Sequence, residues 1–355
     1  MLGAVKAASL RSAGAFRAAP GPDGPSAQRR IAFARWPARL RGDQRTGFVS
    51  CSHPQPRYAV LRMVSRTPHR FGGAWTDEKL KVLEGYLSAY TTALKNSSLS
   101  KGYIDAFAGT GYRDAPDRVD LLPDLIEEEP QTLLDGSARI ALRTQPPFDG
   151  FVFIEQHGRR RAQLEQLKDE FSVHRDAIQI RGGDANEQIQ EICSLDWQRR
   201  RAVLFLDPYG MQVEWKTITS IAATKAIDMW LLFPLGIGVN RLLTRTGEIP
   251  PSWRERLTTL LGRSDWYDEF YRVETTPTLF GDDESRVVRA SIDTIGRYFN
   301  ERLRSVFFAV ADEPKVLRNS KGSPLYLLCF GVGNEKGSRI ALNIANHLLS
   351  KTGWS

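Results

Sequence analysis

The stretch KGYIDAFAGTG, residues 101–111, reads as a buried strand running into a glycine turn. Tyr103, Ile104, Ala106 and Phe107 make a short apolar run suited to a central parallel strand, and Gly109 and Gly111 let the backbone turn tightly beside a ligand. Asp105 sits four residues before the first glycine. The dinucleotide fingerprint G-x-G-x-x-G would place a third glycine where this chain has Asp114, whose charge sits poorly beside a pyrophosphate. The pattern instead suits a cationic ligand without phosphate, S-adenosylmethionine, with Asp105 offsetting its positive charge or accepting bonds from its amino group. A structural turn with a capping acid would look much the same.

Outward from this stretch, strands and helices alternate. A helix is expected from Thr76, which can cap it, with Leu80, Leu83, Leu87, Tyr90 and Leu94 on one face. After residues 101–111 come an acidic loop (117–129) and a helix near 137–143. Strand 151–154 and helix 159–171 follow, then strand 178–181 and helix 186–197, strand 202–206 and helix 215–224, and strand 227–233. This predicts a doubly wound, mostly parallel α/β sheet with ligands at the carboxyl ends of its strands. Residues 240–283 carry Trp253, Trp266, Tyr267, Phe270 and Tyr271 and read as a helical insertion or lid, its aromatics packing a core more naturally than stacking on bases. Helix 284–304, strand 305–310, strand 325–332 and helix 335–349 complete the chain, the last two strands forming an antiparallel pair.

Of the 355 residues, 41% are hydrophobic, enough for a sizeable core. The longest apolar stretch, 227–239, is too short and too interrupted to span a bilayer. Cys51, Cys193 and Cys329 have no paired spacing, so neither a zinc site nor a disulfide framework is indicated, and a cytoplasmic location is expected. The formal charge of +8 is unevenly spread: residues 1–62 hold 11 Lys/Arg against 2 Asp/Glu, which leaves the other 293 residues near −1. That Arg-rich leader (1–65) is expected to be disordered. It reads as a start assigned upstream of Met63, a transit peptide or a nucleic-acid arm. The near-neutral remainder argues against tight non-specific DNA binding.

Four strand ends bear chemistry. The first is Asp105 with Phe107, Gly109 and Gly111, and the second is Glu155, placed to take both ribose hydroxyls. The third is Asp184, followed by Ala185, placed to accept from an adenine amino group. The fourth is the turn Asp207-Pro208-Tyr209-Gly210. There the Asp207 carboxylate and the Pro208 carbonyl could accept both N–H bonds of an exocyclic amine while Tyr209 stacks on its ring. Each alone also reads as a strand-end cap or turn residue. The five histidines lack metal-ligand spacing, and the arginine runs 159–161 and 199–201 read as solvated faces.

In order, FGGAWTDEKLKVLEGYLSAYTTALK, YIDAFAGTG, DGSARIAL, FVFIEQ, GDAN and LFLDPYGMQVEW resemble the three-Cys-motif partner proteins (TcmP) over about residues 69–350. The resemblance implies a class I methyltransferase-like domain encoded beside a three-cysteine, radical-enzyme-like protein. More distantly, IDAFAGTG, DGSARIA and LDPYG resemble adenine-N6 methyltransferases of ribosomal RNA. That likeness implies a methionine site at Asp105, Gly109 and Gly111, ribose at Glu155, adenine at Asp184 and the target amine at Asp207. Those enzymes carry Asp-Pro-Pro-Tyr or Asn-Pro-Pro-Tyr, so here the aromatic ring moves one place. The expectation is S-adenosylmethionine-dependent methylation of a nucleobase, in RNA or DNA, or of another nitrogen. The alternative is a non-catalytic adaptor for a three-cysteine protein in a mobile-element or defence context.

Overall fold

The computed structural model describes residues 74–109, 136–277 and 283–351. The leader, Gly111, Asp114 and the acidic loop lie outside them.

Helix α1 (Ala74–Ala93) precedes β1 (Ser100–Asp105). It starts ahead of Thr76, which is buried within its first turn and does not sit at the cap. Then come α2 (Ser137–Arg143), β2 (Gly150–Ile154), α3 (Gly158–Glu170), β3 (Ile178–Arg181), α4 (Ala185–Cys193), β4 (Arg200–Leu206), α5 (Trp215–Ala223) and β5 (Ile227–Phe233). The sheet order is β3-β2-β1-β4-β5, all parallel, with β10 (Pro324–Val332) added antiparallel to β5. Two short strands, β8 (Ala309–Val310) and β9 (Lys315–Arg318), pair antiparallel with β10. This is a doubly wound, Rossmann-type sheet, in which the order reverses between β1 and β4.

Alternation along the strands sorts the two faces. Tyr103, Phe151, Phe153, Val203, Phe205, Trp230 and Leu232 join one core cluster with residues of α1, α2, α3 and α9 (Ser338–Lys351). Ile104, Val152, Leu204, Met229 and Leu231 have the opposite parity and are equally buried, as strands covered on both faces require. The apolar seam of α1 (Leu80, Leu83, Tyr86, Leu87, Tyr90) therefore lies on the face that also carries the parity of Asp105 and Asp207.

Three expectations fail near the C-terminus. The 240–283 insertion is not wholly helical: α6 (Pro251–Leu261) and α7 (Trp266–Phe270) lead into a hairpin of β6 (Tyr271–Pro277) and β7 (Asp283–Arg289). Its register sets Glu274 opposite Arg286 and Thr275 opposite Ser285, pairs that favour a ladder over the helix expected from Glu284. Helix α8 begins only at Ile292, where Ser291 caps it by accepting from the Thr294 N–H. The strand expected over 305–310 shrinks to Ala309–Val310, and β9 was not foreseen. Trp266 and Phe270 are fully buried, so these aromatics do pack a core.

Candidate active site at the carboxyl rim

β1, β2 and β4 are parallel neighbours in which Asp105 stands level with Phe153 and with Phe205. Glu155 and Asp207 thus lie two residues past the Asp105 level on either side, on one edge of the sheet. Two backbone bonds anchor the turn after β1 between its neighbours: Ala106 donates to Phe205 O at 3.2 Å and Ala108 to Ile154 O at 3.1 Å. Gly109 follows at φ 59°, a left-handed conformation that glycine takes without steric cost.

Asp105 is fully buried. Its Oδ2 accepts from Ser137 Oγ at 2.5 Å and Tyr103 OH at 3.2 Å, and its Oδ1 accepts from the Phe107 N–H at 3.3 Å. Burial pushes its carboxyl up to about 6, the Asp207 charge pushes the same way, and the bonds from Ser137, Tyr103 and Phe107 hold it back. Asp105 therefore ties the start of α2 and the half-buried Phe107 to the end of β1. Holding the loop is what these contacts accomplish, with Oδ2 taking two bonds and Oδ1 one.

Glu155 is buried, with Oε1 accepting from the His157 N–H at 2.8 Å and Oε2 making no hydrogen bond among the described residues. Asp184 is exposed and caps α4, its Oδ1 accepting from the Asn186 and Glu187 N–H groups, with Ala185 buried behind it. The capping task read as the alternative for Asp184 is thus performed, and Oδ2 is the oxygen left over. Between these acids, Arg161 covers Gly182 so closely that a Cβ there would collide with its guanidinium.

The Asp207 turn differs most from expectation. The Pro208 carbonyl, expected to accept from a target amine, accepts from the Gly210 N–H at 3.0 Å. The Tyr209 ring is 38% exposed and has the Arg160 guanidinium 5.6 Å from its centroid. Asp207 Oδ2 accepts from Lys79 Nζ at 2.5 Å. Lys79 comes from α1, is itself buried, and also lies 4.7 Å from the centroid of the Trp75 ring, which stacks on Tyr326.

Asn186 closes the arrangement. Its amide donates to Gln212 O and its oxygen accepts from Glu214 N and Thr217 Oγ1, fastening the start of α4 to the segment after β4. Sequence reading did not single out Lys79, Ser137 or Asn186. Lys79 stands four residues before Leu83, a charge inside the apolar seam, and Ser137 opens the helix of the DGSARIAL motif. Both signals were visible, but the partner was not. A separate hollow of about 420 Å³ opens at the opposite, amino edge, lined by Cys193, Trp197, Arg201 and Lys225 among others, and touches none of these residues.

The residues present fit S-adenosylmethionine in part: Gly109 supplies the turn and Glu155 one buried acceptor oxygen for ribose hydroxyls. No family model and no curated protein matches this chain. Solved structures are similar to it at low levels. An S-adenosylmethionine-dependent methyltransferase from Clostridium acetobutylicum is 12% identical, covering 71% of this chain and 92% of its own, with a TM-score of 0.31. The N-terminal domain of EvdMO1, with SAH and D-fucose, is 10% identical over 86% of this chain and 97% of its own, at 0.33. The methyltransferase yhhF of Escherichia coli, described as putative, is 10% identical over 58% and 86%, at 0.26. It is the strand order and the rim geometry that characterise the molecule.

Proposed function

We propose that the chain is an S-adenosylmethionine-dependent methyltransferase whose acceptor sits at the end of β4, against Asp207. The observation that carries this reading is the convergence of the Gly109 turn, Glu155 and Asp207 on one edge beside the β1–β4 reversal. When bound, S-adenosylmethionine supplies an electrophilic methyl group on a sulfonium. The chain's own part is to hold and orient: Glu155 Oε2 accepts from ribose hydroxyls, and the loop fastened by Asp105 and Ser137 shapes the methionine end. An acceptor nitrogen in RNA or DNA fits the sequence motif, although the bond from Lys79 leaves Asp207 only one fully open oxygen to receive it.

Isothermal titration with S-adenosylhomocysteine tests the reading. Binding by the wild type, weakened by about tenfold or more in Glu155→Ala, is the expected result. Absence of heat in the wild type would reject it. A second reading, an adaptor for a three-cysteine protein, is favoured by one feature: both oxygens of Asp105 accept internal bonds that hold the loop. It expects co-purification with such a protein and no affinity for S-adenosylhomocysteine.

A further inference from the structure

An exocyclic amine donates two N–H bonds, so a rim that orients it by hydrogen bonding needs two acceptor atoms at the end of β4. At this rim each expected acceptor already takes one internal bond: Pro208 O from the Gly210 N–H, and Asp207 Oδ2 from Lys79 Nζ. Asp207 Oδ1 makes no hydrogen bond among the described residues and is the fully open acceptor, beside an ammonium with three protons of which one is committed to Asp207. The rim thus offers one fully open acceptor and one cationic donor side by side.

That pairing discriminates between acceptor classes. A hydroxyl can donate to Oδ1, accept from Nζ and still keep a lone pair for attack. A conjugated amine has a single lone pair, and accepting a bond from Nζ would consume the pair it must use. Charge points the same way. Lys79 is buried and lies close to where the acceptor atom would stand, so it stabilises an oxyanion and disfavours the ammonium that a methylated amine becomes.

We propose that the acceptor is an ionisable hydroxyl of phenolic type, methylated on oxygen, with Asp207 as base and Lys79 as the oxyanion-stabilising residue; this rests on the methyl-transfer reading above. The hydroxyl proton passes to Asp207 Oδ1, an oxygen electron pair forms the new bond to the methyl carbon, and the electrons of the carbon–sulfur bond stay on sulfur. The products are a methyl ether, a neutral thioether and a protonated Asp207, which returns its proton to water.

The test titrates the protein saturated with S-adenosylhomocysteine with two flat probes of nearly equal shape, 4-nitrophenol and 4-nitroaniline. The phenol should bind about tenfold or more tighter than the aniline and show the visible absorption of its ionised form. Lys79→Met should abolish both the preference and the ionisation while S-adenosylhomocysteine still binds, and Lys79→Arg, which keeps the charge, should retain part of each. Equal binding, binding of neither probe, or preference for the aniline overturns the hydroxyl assignment and leaves the cofactor reading standing. Failure to bind S-adenosylhomocysteine overturns the methyl-donor reading and the hydroxyl assignment together.

Discussion

Two polar contacts of helix α1 with the same face of the sheet are chemically unlike. Near its start, Lys79 pairs with Asp207 at the carboxyl rim, where Asp207 is 26% exposed. Seven residues on, about 10 Å along the axis, Tyr86 OH donates to Asp228 Oδ2 at 2.9 Å near the beginning of β5. Asp228 is sealed in: Tyr86 is fully buried, Trp230 and Phe330 pack around it, and the Gly333 N–H supplies the other bond to the carboxylate. Burial pushes Asp228 up to about 7, held back by the bonds from Tyr86 and Gly333 and by the charge of Arg201. The difference teaches that a perturbed buried carboxylate does not by itself mark a site. Asp228 stands near the amino end of β5, away from the Gly109 turn, whereas Asp207 shares its rim with Glu155 and Gly109.

The comparison can be broken most forcefully at Asp228. Its folded value lies above the ordinary carboxylate range, so the fold binds a proton that the unfolded chain releases. The stabilisation is complete at low pH and is lost as pH rises through about 7. Asp228→Asn should flatten that dependence and raise stability at pH 8 by on the order of 1–3 kcal/mol, read from urea denaturation at pH 5 and pH 8. A wild type equally stable at both would mean that Asp228 is ionised and paired, against the burial account.

Tyr86→Phe should have a smaller effect of the opposite sign, a loss of about 1–2 kcal/mol. The loss should be larger at pH 8 than at pH 5, because the phenol supports the ionised carboxylate. The smallest change in stability should come at the rim. Lys79→Met breaks an ion pair whose carboxylate reaches water and should cost no more than about 1 kcal/mol. A loss from Lys79→Met matching that from Tyr86→Phe would assign the rim pair a folding role and remove the contrast.

The parallel half of the fold was legible because its period is local. Residues 178–181 and 227–233 are strands with the expected bounds, and helix 137–143 matches as well. The C-terminal part was harder to read. Strand β7 falls where the sequence suggests the start of helix 284–304; cross-strand pairing with β6 decides it. Strand β9 is four residues long and exists through its bonds to β10. At the rim, the acids at the strand ends could be listed from the chain, but how their oxygens are shared could not. Nothing in DPYG announces a lysine that lies 128 positions earlier.

What the amino-acid sequence determined by itself is the alternation of buried strands and amphipathic helices, and with it the edge where Asp105, Glu155 and Asp207 gather, because strand parity and crossover handedness follow from local stereochemistry. Tertiary structure alone decided which of those carboxylates is spent on its own fold, as Asp105 is, and which meets a cation, as Asp207 does. The physical reason is that desolvation and ion pairing depend on what another segment brings within a few ångströms, and the docking of α1 sets that distance.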